Sequence, residues 1–381
     1  MHHPGQATRP PVSLIILAVL LLIGLGWLGH VAAPPLQAPP DDNQETVEAR
    51  VIEVLEEGIF NQGGLQQPYQ KLRLEILSGR LAGRAVTVDY GTQTLGSSAI
   101  LYQPDDPVQA THLTRADGGE LFYITEPQRL TPLLILFIIF VVFIIAISRW
   151  KGVRSLLGMA VSLYVITQFI LPLILAGYPP LIVTIIGAFA LLSVTQYLIY
   201  GWSLKTHAAV LGIFISLVIT GVLASIFVNA TRLTGYGSEE VGFLQTAGVA
   251  IDARGLLLAG ILIGALGVLD DITISQASAV FELAEADVSF GARELYQRAM
   301  NIGQDHIAST VNTLLLAYVG ASLPLLLLFA VYPQPFGQIL NREFITEEVV
   351  RTLVGSLGLV AAVPITTLLA GAMTGRAWRW K

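Results

Sequence analysis

Long apolar runs dominate this chain, and their lengths set the first prediction. A bilayer core about 30 Å thick needs about 20 mostly apolar residues in each spanning helix. Eight runs approach or meet that length: Val12–Leu28, Leu133–Ile147, Leu156–Gly177, Leu181–Tyr200, Ala208–Val228, Gly255–Leu269, Thr310–Val331 and Val349–Met373. Residues 44–130 follow a different rule. Lys71-Leu72-Arg73-Leu74-Glu75-Ile76 and Val86-Thr87-Val88-Asp89-Tyr90 alternate polar and apolar positions, which is the period of a half-buried strand. Gly63-Gly64, Ser78-Gly79, Gly118-Gly119 and Pro104-Asp105-Asp106-Pro107 supply turns between such strands.

This pattern predicts a mainly α, polytopic helical membrane protein of about eight spans, carrying a small extracytoplasmic all-β domain of barrel type. The expected layout is an N-terminal membrane anchor over 1–33, a Pro-rich linker over 34–43, the β domain over 44–130 and a seven-span helical domain over 131–381. A signal peptide competes for the first run, because Val31-Ala32-Ala33 resembles a cleavage site. The run is longer than a usual signal core, so an uncleaved anchor is the preferred reading.

Composition agrees with a bilayer. Of 381 residues, 54% are hydrophobic and only 13% charged, whereas about 25% is usual in soluble domains. The net charge of −6 argues against nucleic acid, which needs a basic footprint. The absence of cysteine removes disulfides, thiolate catalysis and thiolate metal sites. The β domain is acidic, with seven Lys/Arg against fourteen Asp/Glu over residues 41–130. Such a surface can attract cations, though a plain solvated face is the simpler reading.

Orientation follows from basic residues in short loops. Arg149, Lys151, Arg154, Lys205, Arg293, Arg298, Arg376, Arg379 and Lys381 fall on one side of the alternating spans, and Arg232, Arg254 and Arg342 on the other. Both termini are therefore expected in the cytoplasm and the β domain outside.

Ionisable groups inside spans are expensive, so they raise a functional question. Gly260, Gly264, Gly267, Asp271, Ser275, Ser278, Glu282 and Glu285 are spaced by three or four, one stripe of roughly 80° on a helix. The glycines would admit a close helix neighbour. The plainer alternative ends the sixth span at Asp270-Asp271 and makes 272–285 an interfacial amphipathic helix. A second cluster opens the seventh span: Asn301, Asp305, Ser309 and Asn312 share a face bordered by His306, Thr310 and Thr313. In the eighth, Glu347, Arg351, Gly355, Gly358, Ala362 and Thr366 form a broad face, and Glu347 and Arg351 can pair at i,i+4.

The expected transport site gathers Asp270, Asp271, Ser275, Asp305, His306, Ser309, Asn312 and Thr366 around one wet compartment. Gly260, Gly264, Gly267, Gly355 and Gly358 are expected to pack the helices around it. Asp271 and Asp305 would bind a cation or proton, and His306 would exchange a proton or ligate a metal. A divalent cation is compatible with Asp, Glu and His donors, but four ligands in a defined geometry are not visible, and nothing points to an organic cofactor. No catalytic residue is assigned: HExxH, G-x-S-x-G and Walker motifs are absent.

Three stretches carry a family resemblance. They are Gly264-Ala-Leu-Gly267-Val-Leu-Asp270-Asp271-Ile-Thr-Ile-Ser275, Gly303-Gln-Asp305-His306-Ile-Ala-Ser309-Thr310-Val-Asn312-Thr313-Leu-Leu-Leu-Ala317-Tyr318, and Arg351-Thr352-Leu-Val-Gly355-Ser-Leu-Gly358 running on to Pro364-Ile-Thr366-Thr367. In these, and in its order of anchor, β domain and multi-span body, the chain resembles the YibE/F-like family of bacterial membrane proteins. The resemblance implies residence in the bacterial cytoplasmic (inner) membrane and a transporter-like role, and it brings no substrate.

The preferred function is thus a secondary transporter or channel for a small ion or solute. One rival is a non-transporting assembly or signalling protein, with a homo-oligomer contact or a protein partner recruited by the β domain. Another is an intramembrane hydrolase, which needs Asp271 and Asp305, or Asp305 and His306, to converge on one water.

Overall fold

The computed structural model describes residues 12–32, 44–62, 65–91, 100–114, 119–249, 251–332 and 334–375. The linker at 34–43, the Gly63-Gly64 turn, Gly118 and the basic residues Arg376, Arg379 and Lys381 lie outside them. The chain divides into two compact units, Leu36–Ala146 and Met1–Pro35 with Ile147–Lys381.

The first unit is a sheet of β1 (Gln44–Gln62), β2 (Leu65–Ile76), β3 (Ala85–Tyr90), β4 (Pro107–Thr114) and β5 (Glu120–Pro127). All neighbours are antiparallel, in the order β3-β2-β1-β4-β5. Alternation decides the inner face. Val47, Ala49, Val51, Leu72, Leu74, Ile76, Val86, Val88, Val108, Ala110 and Ile124 make one core, while Glu48, Arg50, Arg73 and Glu75 between them point out. Register shifts at Val51/Glu53 and Val54/Glu56 interrupt the β1–β2 ladder, and such bulges bend a strand and raise its twist. The edges β3 and β5 come close, and Arg84 Nη2 meets Glu120 Oε2 at 2.7 Å between them. No backbone ladder joins those two strands, so the sheet is an antiparallel half-barrel. Buried Gln70 acts as a piece of strand edge: its amide donates to Tyr102 O at 3.1 Å and accepts from Tyr102 N at 2.8 Å. The Pro104–Pro107 corner turns as expected, with Asp105 at φ 74° and Asp106 Oδ2 accepting from Gln103 N at 2.7 Å.

The second unit is helical. In chain order the helices are α1 (Val12–Ala32), α2 (Leu130–Val165, shared between the units), α3 (Leu171–Leu175), α4 (Pro180–Tyr200), α5 (Leu204–Ala230), α6 (Glu239–Thr246), α7 (Ala253–Ala286), α8 (Ala292–Ala321), α9 (Leu323–Val331), α10 (Phe336–Leu340) and α11 (Glu343–Met373). A π-helical turn, Ile166–Ile170, joins α2 to α3. Among the described residues, five segments are long and apolar enough to cross a membrane: Leu130–Leu175, Pro180–Tyr200, Leu204–Ala230, Ala253–Ala286 and Glu343–Met373. This is a membrane protein on that ground.

Two features differ from the run-by-run expectation. The second and third apolar runs meet without an intervening loop in a segment of 46 residues, and Arg149 (φ 50°, ψ −128°) kinks it, so that two helices abut there. The seventh run is bent by 63° between α8 and α9. Pro324 lies at the start of α9, and its missing N–H and its ring end the helix before it.

α7 is the hub of this unit and packs against α4, α5, α8 and α11. Its core positions include Leu262, Leu269, Ile272, Ala277 and Val280. α1 crosses the end of α2 and the π turn at two glycines. A Cβ on Gly26 would stand 2.0 Å from Tyr164 Oη, and one on Gly29 1.7 Å from Gln168 O.

Candidate functional site

Asp252 caps α7 by accepting from Gly255 N at 2.9 Å, and the helix then runs without interruption past the carboxylate pair. Adjacent helical residues differ by about 100° in direction, so Asp270 and Asp271 cannot share an environment. Asp270 is partly buried against α4, where Gln196 Nε2 donates to its Oδ1 and lies 3.4 Å from its backbone oxygen. Asp271 is exposed. Tyr200, at the end of α4, is near enough to both carboxylates to interact electrostatically. Thr273 Oγ1 returns its proton to Leu269 O at 2.8 Å.

The predicted stripe of α7 is its outward face. Gly264, Gly267, Asp271, Glu282 and Glu285 are exposed, and Gly260, Ser275 and Ser278 are partly so. On α8 the same holds for Asn301, Asp305, Ser309 and Asn312, with His306 half-buried at the flank. The side of α8 that packs inward carries Met300, Ile307, Val311 and Leu314. Asp271 and Asp305 thus stand outside the packed interior, which the apolar ridge of each helix claims.

What joins α7, α8 and α11 is a different group. Gln276 is fully buried, and its Nε2 donates to Ala299 O at 2.9 Å and to Thr367 Oγ1 at 2.8 Å. Gly303 makes room for it, since a Cβ there would stand 2.4 Å from Val363 Cγ1 and 3.0 Å from Gln276 Oε1.

The packing glycines divide. A Cβ on Gly358 would stand 2.1 Å from Thr220 Oγ1, and Gly355 is in ordinary contact with Ala265, at 3.9 Å. Gly264 is approached by Tyr318 Oη at 3.0 Å. Among the described residues, Gly260 and Gly267 have no atom within 4 Å of a Cβ, so the close approach expected there is not made among them. Thr366 is fully buried, with its Oγ1 unpartnered and pressed on Gly212 of α5. It belongs to the α5–α11 seam and is not on the outward face of α7.

Glu347 and Arg351 do not pair. Arg351 Nη1 lies 3.5 Å from Glu348 Oε1, and Glu347 Oε1 accepts from Gly237 N at 3.2 Å. One turn earlier Glu343 Oε1 accepts from Thr234 N and Oγ1, both at 2.6 Å, and from Gly235 N at 3.0 Å. The loop's N–H groups thus seek out the two α11 carboxylates, which satisfies donors that the turn leaves free.

Two concavities lie elsewhere, one lined by Tyr236, Val241, Gln245, Val249 and Ile251, the other by Ile174, Gly177, Tyr178, Pro179, Pro180 and Asp252. Asp252 is 18 residues before Asp270, about 27 Å along a helix. Among the described residues, no three His, Asp or Glu side chains are placed to hold a metal ion.

Sequence reasoning missed Gln196 and Gln276. Each is a lone amide in a largely apolar stretch, and the cost of an unsatisfied polar group in lipid was signal enough to single them out. Their partners, far off in sequence, were not readable.

A family model described as YibE/F-like protein matches residues 136–376. No curated protein matches the chain, and no solved structure does.

Proposed function

Since the chain belongs to the YibE/F-like family, we propose that it is a secondary transporter or channel for a small ion or solute in the bacterial inner membrane. The observation that carries this reading is Asp270, a carboxylate held between two candidate membrane-crossing helices by an amide of the neighbouring one. A charge in that position is costly, and a soluble anchor or a passive scaffold has no use for it. In this reading Asp271 and Ser275 of α7 and Asp305, His306, Ser309 and Asn312 of α8 line the outer side of those two helices, where a hydrated path would run.

The topology we propose has eight spans. The five long apolar segments become six with the bent pair α8–α9, seven with α1, and eight if the 46-residue segment divides at Arg149. Basic residues then put both termini in the cytoplasm and the half-barrel outside. The test is flux of a panel of ions and small solutes into proteoliposomes, comparing wild type with Asp270→Asn, Asp271→Asn and Asp305→Asn. Flux of nothing in the panel, or equal flux in all three variants, rejects the reading.

One observation favours a second reading, an assembly protein. Gly260 and Gly267 are open, and Asp271, Asp305, Ser309 and Asn312 face outward. Polar groups facing lipid are costly unless a partner covers them. A stable complex in lipid that dissociates in Asp271→Leu, with no flux in wild type, would select this alternative.

A further inference from the structure

Asp270 and Gln196 stand in an unusual relation. The Gln196 side chain is 1% exposed, its Nε2 faces the Asp270 carboxyl, and its Oε1 has no hydrogen-bond partner. Among the described residues no Lys, Arg or His forms an ion pair with Asp270, and no ligand set for a metal exists. The charged or titratable neighbours are Asp271 on its own helix and Tyr200 on α4. α5, α8 and α11 bring no ionisable group within hydrogen-bonding or ion-pairing distance of it.

A partly buried carboxylate without a counter-ion has two ways to lose its charge: a bound cation or a proton. The first is best served by further His, Asp or Glu ligands, and no group of three such side chains is found among the described residues. An amide suits the second, because its two ends differ: Nε2 donates and Oε1 accepts. Facing an ionised carboxylate, it presents Nε2. Facing a carboxylic acid, a half-turn presents Oε1 to the acid O–H. That half-turn gives up the Nε2 contact to the Asp270 backbone oxygen at 3.4 Å and no bond on the oxygen side, because Oε1 has none to lose.

We infer that Asp270 takes up and releases a proton, and that the Gln196 amide turns over between the two states to satisfy each. In the step an O–H bond forms on the Asp270 carboxyl, with the proton supplied by water, and the same bond breaks on return. No oxidant or second reactant is involved. The inference deepens the transport reading and rests on it for its purpose: it names the proton as the coupling ion and Gln196 as a positioning residue.

The experiment is infrared difference spectroscopy of the full chain in lipid across a pH step, with isotope-labelled glutamine. Wild type is expected to show a carboxylic acid C=O band that rises on acidification together with a change in a glutamine amide band. Asp270→Asn loses both signals. Gln196→Leu keeps the acid band, moved to the position of a carbonyl without a hydrogen bond, and loses the amide change. Asp271→Asn and Asp305→Asn keep both. An acid band unaltered in Asp270→Asn overturns the proton assignment, and an Asp270 band that rises with no amide change overturns the turning amide. Flux is measured separately, so its absence would reject transport while leaving the proton uptake standing, and the converse result is equally readable.

Discussion

Thr366 of α11 rests its hydroxyl on the bare backbone of Gly212 in α5, and a Cβ at Gly212 would stand 2.3 Å from Thr366 Oγ1. Eight residues further along α5, Thr220 repeats the arrangement in reverse, with its Oγ1 2.1 Å from a Cβ on Gly358 of α11. Threonine and glycine thus exchange places along an antiparallel seam. Small residues let two helices approach in lipid, where packing replaces the hydrophobic effect as the attractive term. Gly212→Ala and Gly358→Ala are each expected to cost about 1–3 kcal/mol through overpacking. Gly260→Ala and Gly267→Ala, which meet open space, are expected to be neutral or to stabilise by about 0.5–1 kcal/mol. Thermal unfolding in a constant detergent orders the four variants, and equal losses would dismiss the seam.

Gln276 hydrogen-bonds both α8 and α11 from α7. Gln276→Leu removes two hydrogen bonds and leaves Thr367 Oγ1 and Ala299 O with one donor fewer each. The expected loss is about 1–3 kcal/mol. Hydrogen exchange should rise at the start of α8 and the end of α11 together, because both lean on the same amide. A rise confined to one helix would deny Gln276 its linking role.

Closure of the half-barrel at Arg84 and Glu120 is expected to depend on pH. The Arg84 guanidinium beside Glu120 holds the Glu120 carboxyl below the usual carboxylate range. A depressed folded value means that the stabilising share of this pair is complete above the unfolded value, near pH 4.3 for glutamate. It fades as pH falls through the lower folded value. Exchange in β3 and β5, corrected for its intrinsic pH dependence, should therefore increase toward about pH 3. Glu120→Gln should raise it at neutral pH and flatten that part of the profile. An unchanged profile in Glu120→Gln would show that the edges close without this pair.

Glu343 gathers three donors from the loop before α6. Glu343→Gln weakens all three charge-assisted bonds, with an expected loss of about 1–2 kcal/mol. Exchange at Thr234 and Gly235 should accelerate more than at Gly237, whose N–H is held by Glu347. Equal acceleration at all three positions would mean that the two carboxylates act as one.

Much of the molecule was legible from pattern. Alternation around Leu72, Leu74, Val86 and Val88 put the right side chains in the β core, since strand period and burial are one geometric fact. The stripe from Gly260 to Glu285 was also read correctly as one face of a continuous helix. Its direction was not readable. A helix with an apolar side and a polar side fits a bundle in either sense when the surroundings can be lipid, water or protein. The structure turned the glycine-acid face outward and gave the interior to Leu262, Leu269, Ile272 and Gln276. Asp270 and Asp271, indistinguishable as neighbours in sequence, were separated by a rotation of about 100°.

By itself, the sequence determined that this chain needs a bilayer, where its apolar stretches lie, and which strand positions face inward, because these depend on side-chain type and local period. Only the tertiary structure decided that Gln196 meets Asp270, that Gln276 ties three helices, and that Thr366 and Thr220 sit on glycines of the opposite helix. Those pairings span 23 to 154 residues. They follow from which helices are neighbours and how each is rotated, and no local pattern encodes either.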